Sequence, residues 1–147
     1  MVKHTFILEE GRWKASGLFY DEFNNSFPLE AETHTVHNDE EWIHEGVMFV
    51  KSKKPLEINN RYEIIPFIKN KDFTNWVQFN PTLGIITGKF MILDNVILSN
   101  YRSETGEYTG TEVLIQIDEK TYLNKGFAFR GNEKLSSWAV KLKKQGQ

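Results

Sequence analysis

The chain contains no cysteine. Disulfides, thiolate nucleophiles and cysteine-ligated zinc or iron–sulfur centres are excluded, which suits a reducing compartment. Charge of one sign is equally scarce. Eighteen basic side chains against 20 acidic ones leave a formal net charge of −2, too weak a field to draw the protein to nucleic acid or an anionic membrane. Long hydrophobic runs are missing too. Near the N-terminus the apolar run Phe6-Ile7-Leu8 stops at Glu9 and Glu10, too short for a secretory core or a membrane span. These absences set the expectation of a cytoplasmic protein with neither nucleic-acid nor membrane partners.

Helical periodicity is also lacking, because apolar residues hold a 3.6 spacing over no extended stretch. No repeat, low-complexity tract or linker divides the sequence, so residues 1–147 read as a single domain. Catalytic fingerprints are few. Gly84-x-x-x-Gly88 has no helix or Lys-Ser/Thr after it, and no serine occupies a G-x-S-x-G elbow.

What is abundant is strand-forming chemistry. Eleven Phe, five Tyr and four Trp suit pleated, half-buried surfaces. Runs of aromatic and β-branched residues recur at short intervals and predict ten strands, at Arg12–Asp21, Pro28–His37, Glu41–Lys51, Leu56–Lys69, Phe73–Phe79, Leu83–Leu93, Val96–Ser103, Glu107–Asp118, Thr121–Arg130 and Lys134–Leu142. Between them Asn24-Asn25, Asn38-Asp39, Asp94-Asn95, Thr105-Gly106 and Gly131-Asn132 tolerate the positive φ of tight hairpins. Short hairpins make consecutive strands antiparallel neighbours, and a meander this long escapes exposed edges by closing on itself. The predicted fold is all-β, a single antiparallel up-and-down barrel. The first eight residues fit either a short strand or a plug beneath one barrel end, and the basic ending from Lys141 to Gln147 reads as a fraying tail.

Gly11-Arg12-Trp13 at the mouth of the first strand resembles the G-x-W opening of the calycin superfamily, which includes the lipocalins and fatty-acid-binding proteins. The resemblance implies a lipocalin-like barrel whose Trp13 closes one end, with a basic side chain across its indole; Arg130 is the first candidate for that partner and Lys141 the second. No segment matches the second lipocalin motif, Asp21–Phe27 is too short for a two-helix lid, and the secretory leader of lipocalins is not seen. The remaining likeness is to lipocalin-like domains of about ten strands, such as the nitrobindin type, without the motif of a named subfamily.

His34, His37 and His44 flank the Asn38-Asp39 turn. Pairing His37 with Glu41 would set His34 opposite His44 and Glu32 opposite Gly46 on one face, where two imidazoles and a carboxylate could act as a metal set or a general base. Hydrogen-bonded or solvated histidines in a hairpin explain the same residues. A register slip of one position would move His44 to the other face. Arg61 falls on the polar side of its strand, and Arg102 lies near Glu107 across a turn; either one pointing inward could grip a carboxylate or phosphate. Trp42, Tyr62, Phe67, Trp76, Phe79, Phe90, Tyr101 and Tyr122 are spread over different strands, as the lining of a barrel interior would be.

A wall of ten strands encloses more space than its side chains readily fill. The first expectation is therefore a binding protein for a small, largely apolar ligand, with Glu32, His34, Trp42, His44, Arg61, Tyr62, Trp76 and Arg102 as ligand-binding residues and Gly11, Trp13 and Arg130 closing the barrel. The sequence leaves any cofactor unknown, and no residue is assigned as a metal ligand. An enzyme using His, Arg and Tyr in the same cavity is the alternative, as is a packed barrel serving as a homodimer module. Glu41–Lys51 and Thr109–Ile117, apolar on both faces, fit the dimer or an N-terminal segment packed outside.

Overall fold

Hairpin chemistry sets the strand ends. Asn24, Asp94, Gly106 and Gly131 adopt φ values of 66°, 52°, 79° and 59°, the left-handed region in which Asn, Asp and Gly are the least strained residues. At the Asn38-Asp39 connector the turn is closed by Asn38 N–H donating to the Glu41 carbonyl at 3.0 Å. The structure, a computed structural model, describes residues 3–146. It contains β1 (Gly11–Tyr20), β2 (Ser26–His37), β3 (Trp42–Val50), β4 (Leu56–Ile64), β5 (Phe73–Asn80), β6 (Gly84–Leu93), β7 (Val96–Ser103), β8 (Tyr108–Asp118), β9 (Thr121–Arg130) and β10 (Glu133–Lys144), with no helix among the described residues.

Every strand pairs antiparallel with its neighbours in sequence. The circle closes where β1 pairs with β10, from Trp13 opposite Lys144 to Tyr20 opposite Ser137. Closure leaves no sheet edge to template aggregation. The thinnest seam joins β4 to β5, which pair only as Tyr62 with Gln78, Glu63 with Val77 and Ile64 with Trp76.

The ends of β4 and β10 differ from expectation. β4 stops at Ile64 instead of Lys69, because Pro66 lacks an N–H donor and Asn70, at φ 70°, starts the return toward β5. β10 runs on to Lys144, and Gln145 N–H donates to the Arg12 carbonyl at 2.8 Å, so the basic ending is tied into the sheet up to that point. Gln147 lies outside the described residues.

The N-terminal segment is a plug; residues 1 and 2 lie outside the described part of it. His4, Thr5, Phe6 and Ile7 are buried beneath one barrel end. The Tyr122 hydroxyl organises them: it accepts from Thr5 N–H at 3.0 Å and Phe6 N–H at 3.3 Å and bonds His4 Nδ1 at 2.8 Å. Ile7 turns the chain through a γ-turn, with φ at 58° and Leu8 N–H donating to the Phe6 carbonyl at 2.7 Å. That conformation is costly for a β-branched residue. Complete burial of Ile7, and a 2.8 Å bond from His37 Nε2 to its carbonyl, offset the strain. Phe6, Trp13 and Tyr122 meet at 5.4–5.7 Å with tilted or edge-on geometry and seal this end.

The segment therefore packs under the barrel and not against its outer wall. The outward residues that make β8 apolar on both faces belong instead to a cross-strand row, Phe73, Met91, Leu98 and Val113, that spans β5 to β8.

Removing the Tyr122 hydroxyl strands two backbone donors where water cannot reach them. Tyr122→Phe is expected to cost about 3 kcal/mol of unfolding free energy, on the scale of buried unsatisfied groups. Urea denaturation at neutral pH measures it, and proteolysis should clip the N-terminus of the variant first.

Candidate functional site: the barrel interior

Alternate residues of every strand face the barrel axis, and register decides which set. Near the plug the inward residues are fully packed: Trp13, Ile64, Ile97, Leu114 and Tyr122 retain 0–2% of their surface. Farther along the axis Ala31, Met48, Asn60, Tyr62, Tyr101, Glu112, Asn124 and Trp138 point inward yet keep partial exposure. Their exposure is to the space within the wall, toward the end away from the plug and the short β4–β5 seam. Small residues on one side of the barrel, Ala15, Ala31, Thr33 and Gly46, enlarge that space.

Three aromatic rings are laid flat by glycines. Trp76 is paired with Gly88, Tyr101 with Gly110 and Trp138 with Gly126, and a Cβ at any of these glycines would collide with its ring. Each ring thus lies against the glycine backbone of the neighbouring strand. Tyr62 packs edge-on to Trp76 at 4.7 Å, and Trp76 lies 6.0 Å from Tyr101, so β4, β5 and β7 present one continuous aromatic surface.

Beside that surface runs a polar chain. Trp138 Nε1–H donates to Asn124 Oδ1 at 3.1 Å, and Asn124 Nδ2–H donates to Glu112 Oε2 at 3.3 Å and to the Val113 carbonyl at 3.2 Å. Burial pushes the Glu112 carboxyl above its ordinary value, opposed by the Asn124 and Trp138 bonds. It also raises the Tyr62 and Tyr101 hydroxyls, Tyr101 to about 12, and the Glu112 charge adds to both shifts.

Two solved structures share this architecture. The S-type phycobiliprotein lyase CPES from Guillardia theta superposes with a TM-score of 0.67 at 6% identity, over 95% of this chain and 90% of the lyase. Rv2717c from M. tuberculosis superposes with a TM-score of 0.59 at 14% identity, over 92% of each chain. The fold is a lipocalin-like barrel. At these identities the likeness concerns fold alone, and no protein-family model or curated protein matches the sequence.

Within this lipocalin-like barrel the expected histidine constellation does not form. His37 pairs with Trp42, so Thr35 lies opposite His44 and Thr33 opposite Gly46, a slip of one residue from the predicted register. The slip arises because Asn38 N–H closes the turn onto the Glu41 carbonyl, which leaves Trp42 as the first paired residue. His34 and Glu32 consequently face outward, Glu32 beside Lys14 at 3.5 Å. Among the described residues no group of three or more His, Asp or Glu could hold a metal ion.

Arg61 also faces outward and pairs with Glu63 at 3.2 Å. Arg102 is exposed in an open groove of about 740 Å3 on the outer face, shared with Val77, Thr87, Lys89, Asn100 and Thr109. It does not meet Glu107, which pairs with Arg130 at 3.3 Å. Arg130, stacked 5.9 Å from the Tyr108 ring, is at the barrel end opposite Trp13 and cannot be its partner. Lys141 points outward, and the basic residue opposite Trp13 is Lys144, whose Nζ passes Gly11 to reach Glu9 at 3.3 Å. Of the expected interior aromatics, Phe79 is 62% exposed on the outer face, and Trp42 lies near the plug, stacked on His37 at 3.8 Å.

The structure brings together Tyr62, Trp76, His44 and the expected interior aromatic Tyr101, and adds Glu112, Asn124 and Trp138. The signal for Glu112 was present in the strand: it shares the alternating face of Gly110 and Leu114, where a charge is out of place. His44 joins the plug to the aromatic surface. Its ring packs edge-on against Phe6 at 5.3 Å and Tyr62 at 5.7 Å, and its Nδ1 bonds Thr35 Oγ1 at 2.7 Å.

Burial, with a smaller contribution from the His34 charge, lowers His44 from 6.5 to about 4. The unfolded chain binds the extra proton between those values, so stability should drop as pH falls from 6.5 toward 4, by about 3 kcal/mol in total. Denaturant titrations across that range test this, and His44→Phe should flatten the slope. Glu112 has the opposite sign: its raised carboxyl favours the fold in acid, and that contribution is lost as pH rises above its unfolded value of 4.5. Glu112→Gln is therefore expected to raise the melting temperature at pH 7 in the absence of ligand.

Proposed function

We propose that this chain is a small-molecule binding protein that holds a largely apolar guest within the barrel, on the side of His44 away from the plug. The observation that carries this reading is the set of inward yet partly exposed side chains, Met48, Tyr62, Tyr101 and Trp138, in a closed barrel. Aromatic surface with a few fixed polar groups is the usual lining of a small-molecule site. Three glycines let the rings lie against the wall, so that less of the interior is taken up by side chains. The paired-histidine catalytic reading has no such support, because His34 and His44 face opposite sides of the wall.

The test is binding of a neutral apolar fluorophore, N-phenyl-naphthylamine, followed by its emission and by quenching of protein tryptophan. Ala31→Leu adds bulk to an inward position while conserving apolar character, and should weaken binding about tenfold, or about 1.4 kcal/mol. A folded variant that binds the probe as the parent does would place the probe elsewhere and remove the proposal.

A further inference from the structure

The chemistry of the guest can be narrowed from the polar chain. An indole N–H only donates, so Trp138 fixes the Asn124 amide with its oxygen toward the indole and its nitrogen toward Glu112. Both amide hydrogens are then spent, on Glu112 Oε2 and the Val113 carbonyl. Glu112 is thereby held in one pose, and its second oxygen, Oε1, has no hydrogen bond among the described residues. No Lys or Arg forms an ion pair with it among the described residues. The titratable groups facing it across the cavity are Tyr62 from β4 and Tyr101 from β7, and beyond Tyr62 His44 from β3. None of them supplies a cation at neutral pH. The aromatic side chains nearest this lone carboxylate are Trp138, which meets it at Gly126, and Tyr62 and Tyr101, and aromatic rings attract positive charge.

We propose that the guest of this barrel carries a protonated nitrogen, which docks on Glu112 Oε1 between the Tyr62 and Tyr101 rings while the apolar remainder lies on the aromatic wall. The inference rests on the reading that the barrel is a binding site. A cationic guest offsets the cost of enclosing an unpaired carboxylate, and an anionic guest of equal size is repelled.

Three naphthalene derivatives of nearly equal shape separate the possibilities: naphthylmethylamine, naphthylmethanol and naphthoate, titrated at pH 7 by naphthalene fluorescence. The amine should bind about tenfold more tightly than naphthoate, with the alcohol between them. Glu112→Gln should cut amine affinity about tenfold and leave the alcohol within about twofold. Tyr101→Phe, which keeps the ring, should weaken the amine by a smaller factor and gives a second variant should the first fail to fold. If the alcohol binds but all three bind equally, or amine affinity survives Glu112→Gln, the cation assignment is overturned and the hollow barrel stands. If none of the three binds, both proposals fall.

Discussion

The structure depends on the ladder between β1 and β10. Once Trp13 through Tyr20 are hydrogen-bonded to Lys144 through Ser137, no strand has a free edge and the alternation of every strand is referred to one common interior. Closure turns a row of half-amphipathic strands into an inside and an outside. It also makes register the decisive variable, since a shift of one residue anywhere exchanges the two faces of that strand.

One end of the tube is closed by chain that belongs to no strand. The Tyr122 hydroxyl satisfies two plug N–H groups in a place with no solvent, and the strained turn at Ile7 is held by burial and by His37. The packing changes along the axis: saturated aromatic and aliphatic contacts near the plug give way to glycine-flattened rings and a fixed Glu112–Asn124–Trp138 chain. In the latter region, a carboxylate that burial disfavours is kept in place by the hydrogen bond from Asn124.

His44 lies on the boundary between these regions, touching Phe6 on one side and Tyr62 on the other. Its neutral form belongs to the packed state, so protonation acts on the junction of plug and barrel wall and not on a solvated surface. Glu112, on β8, responds to pH in the opposite direction. The two groups give the barrel opposing acid and base sensitivities from positions on different strands.

Local chemistry was legible in the chain itself. Asn24, Asp94, Gly106 and Gly131 marked hairpins because few residues adopt positive φ without strain, and absent cysteine and helical periodicity left a closed all-β sheet as the consistent solution. The likeness of Gly11-Arg12-Trp13 to a calycin opening agreed with that fold, and the match of Trp13 with Lys144 in place of Arg130 came only from the β1–β10 register. Facing was likewise beyond the sequence. A single hydrogen bond at the Asn38–Glu41 turn shifted β2 against β3, sent His34 outward and left His44 within. Glu112, Asn124 and Trp138 come from three strands, and nothing in the spacing of residues 112, 124 and 138 relates them until the strands are wound side by side. Turn propensities act over a few residues and are written in order along the chain, whereas a site inside a barrel is set by cross-strand register, which only the closed sheet fixes.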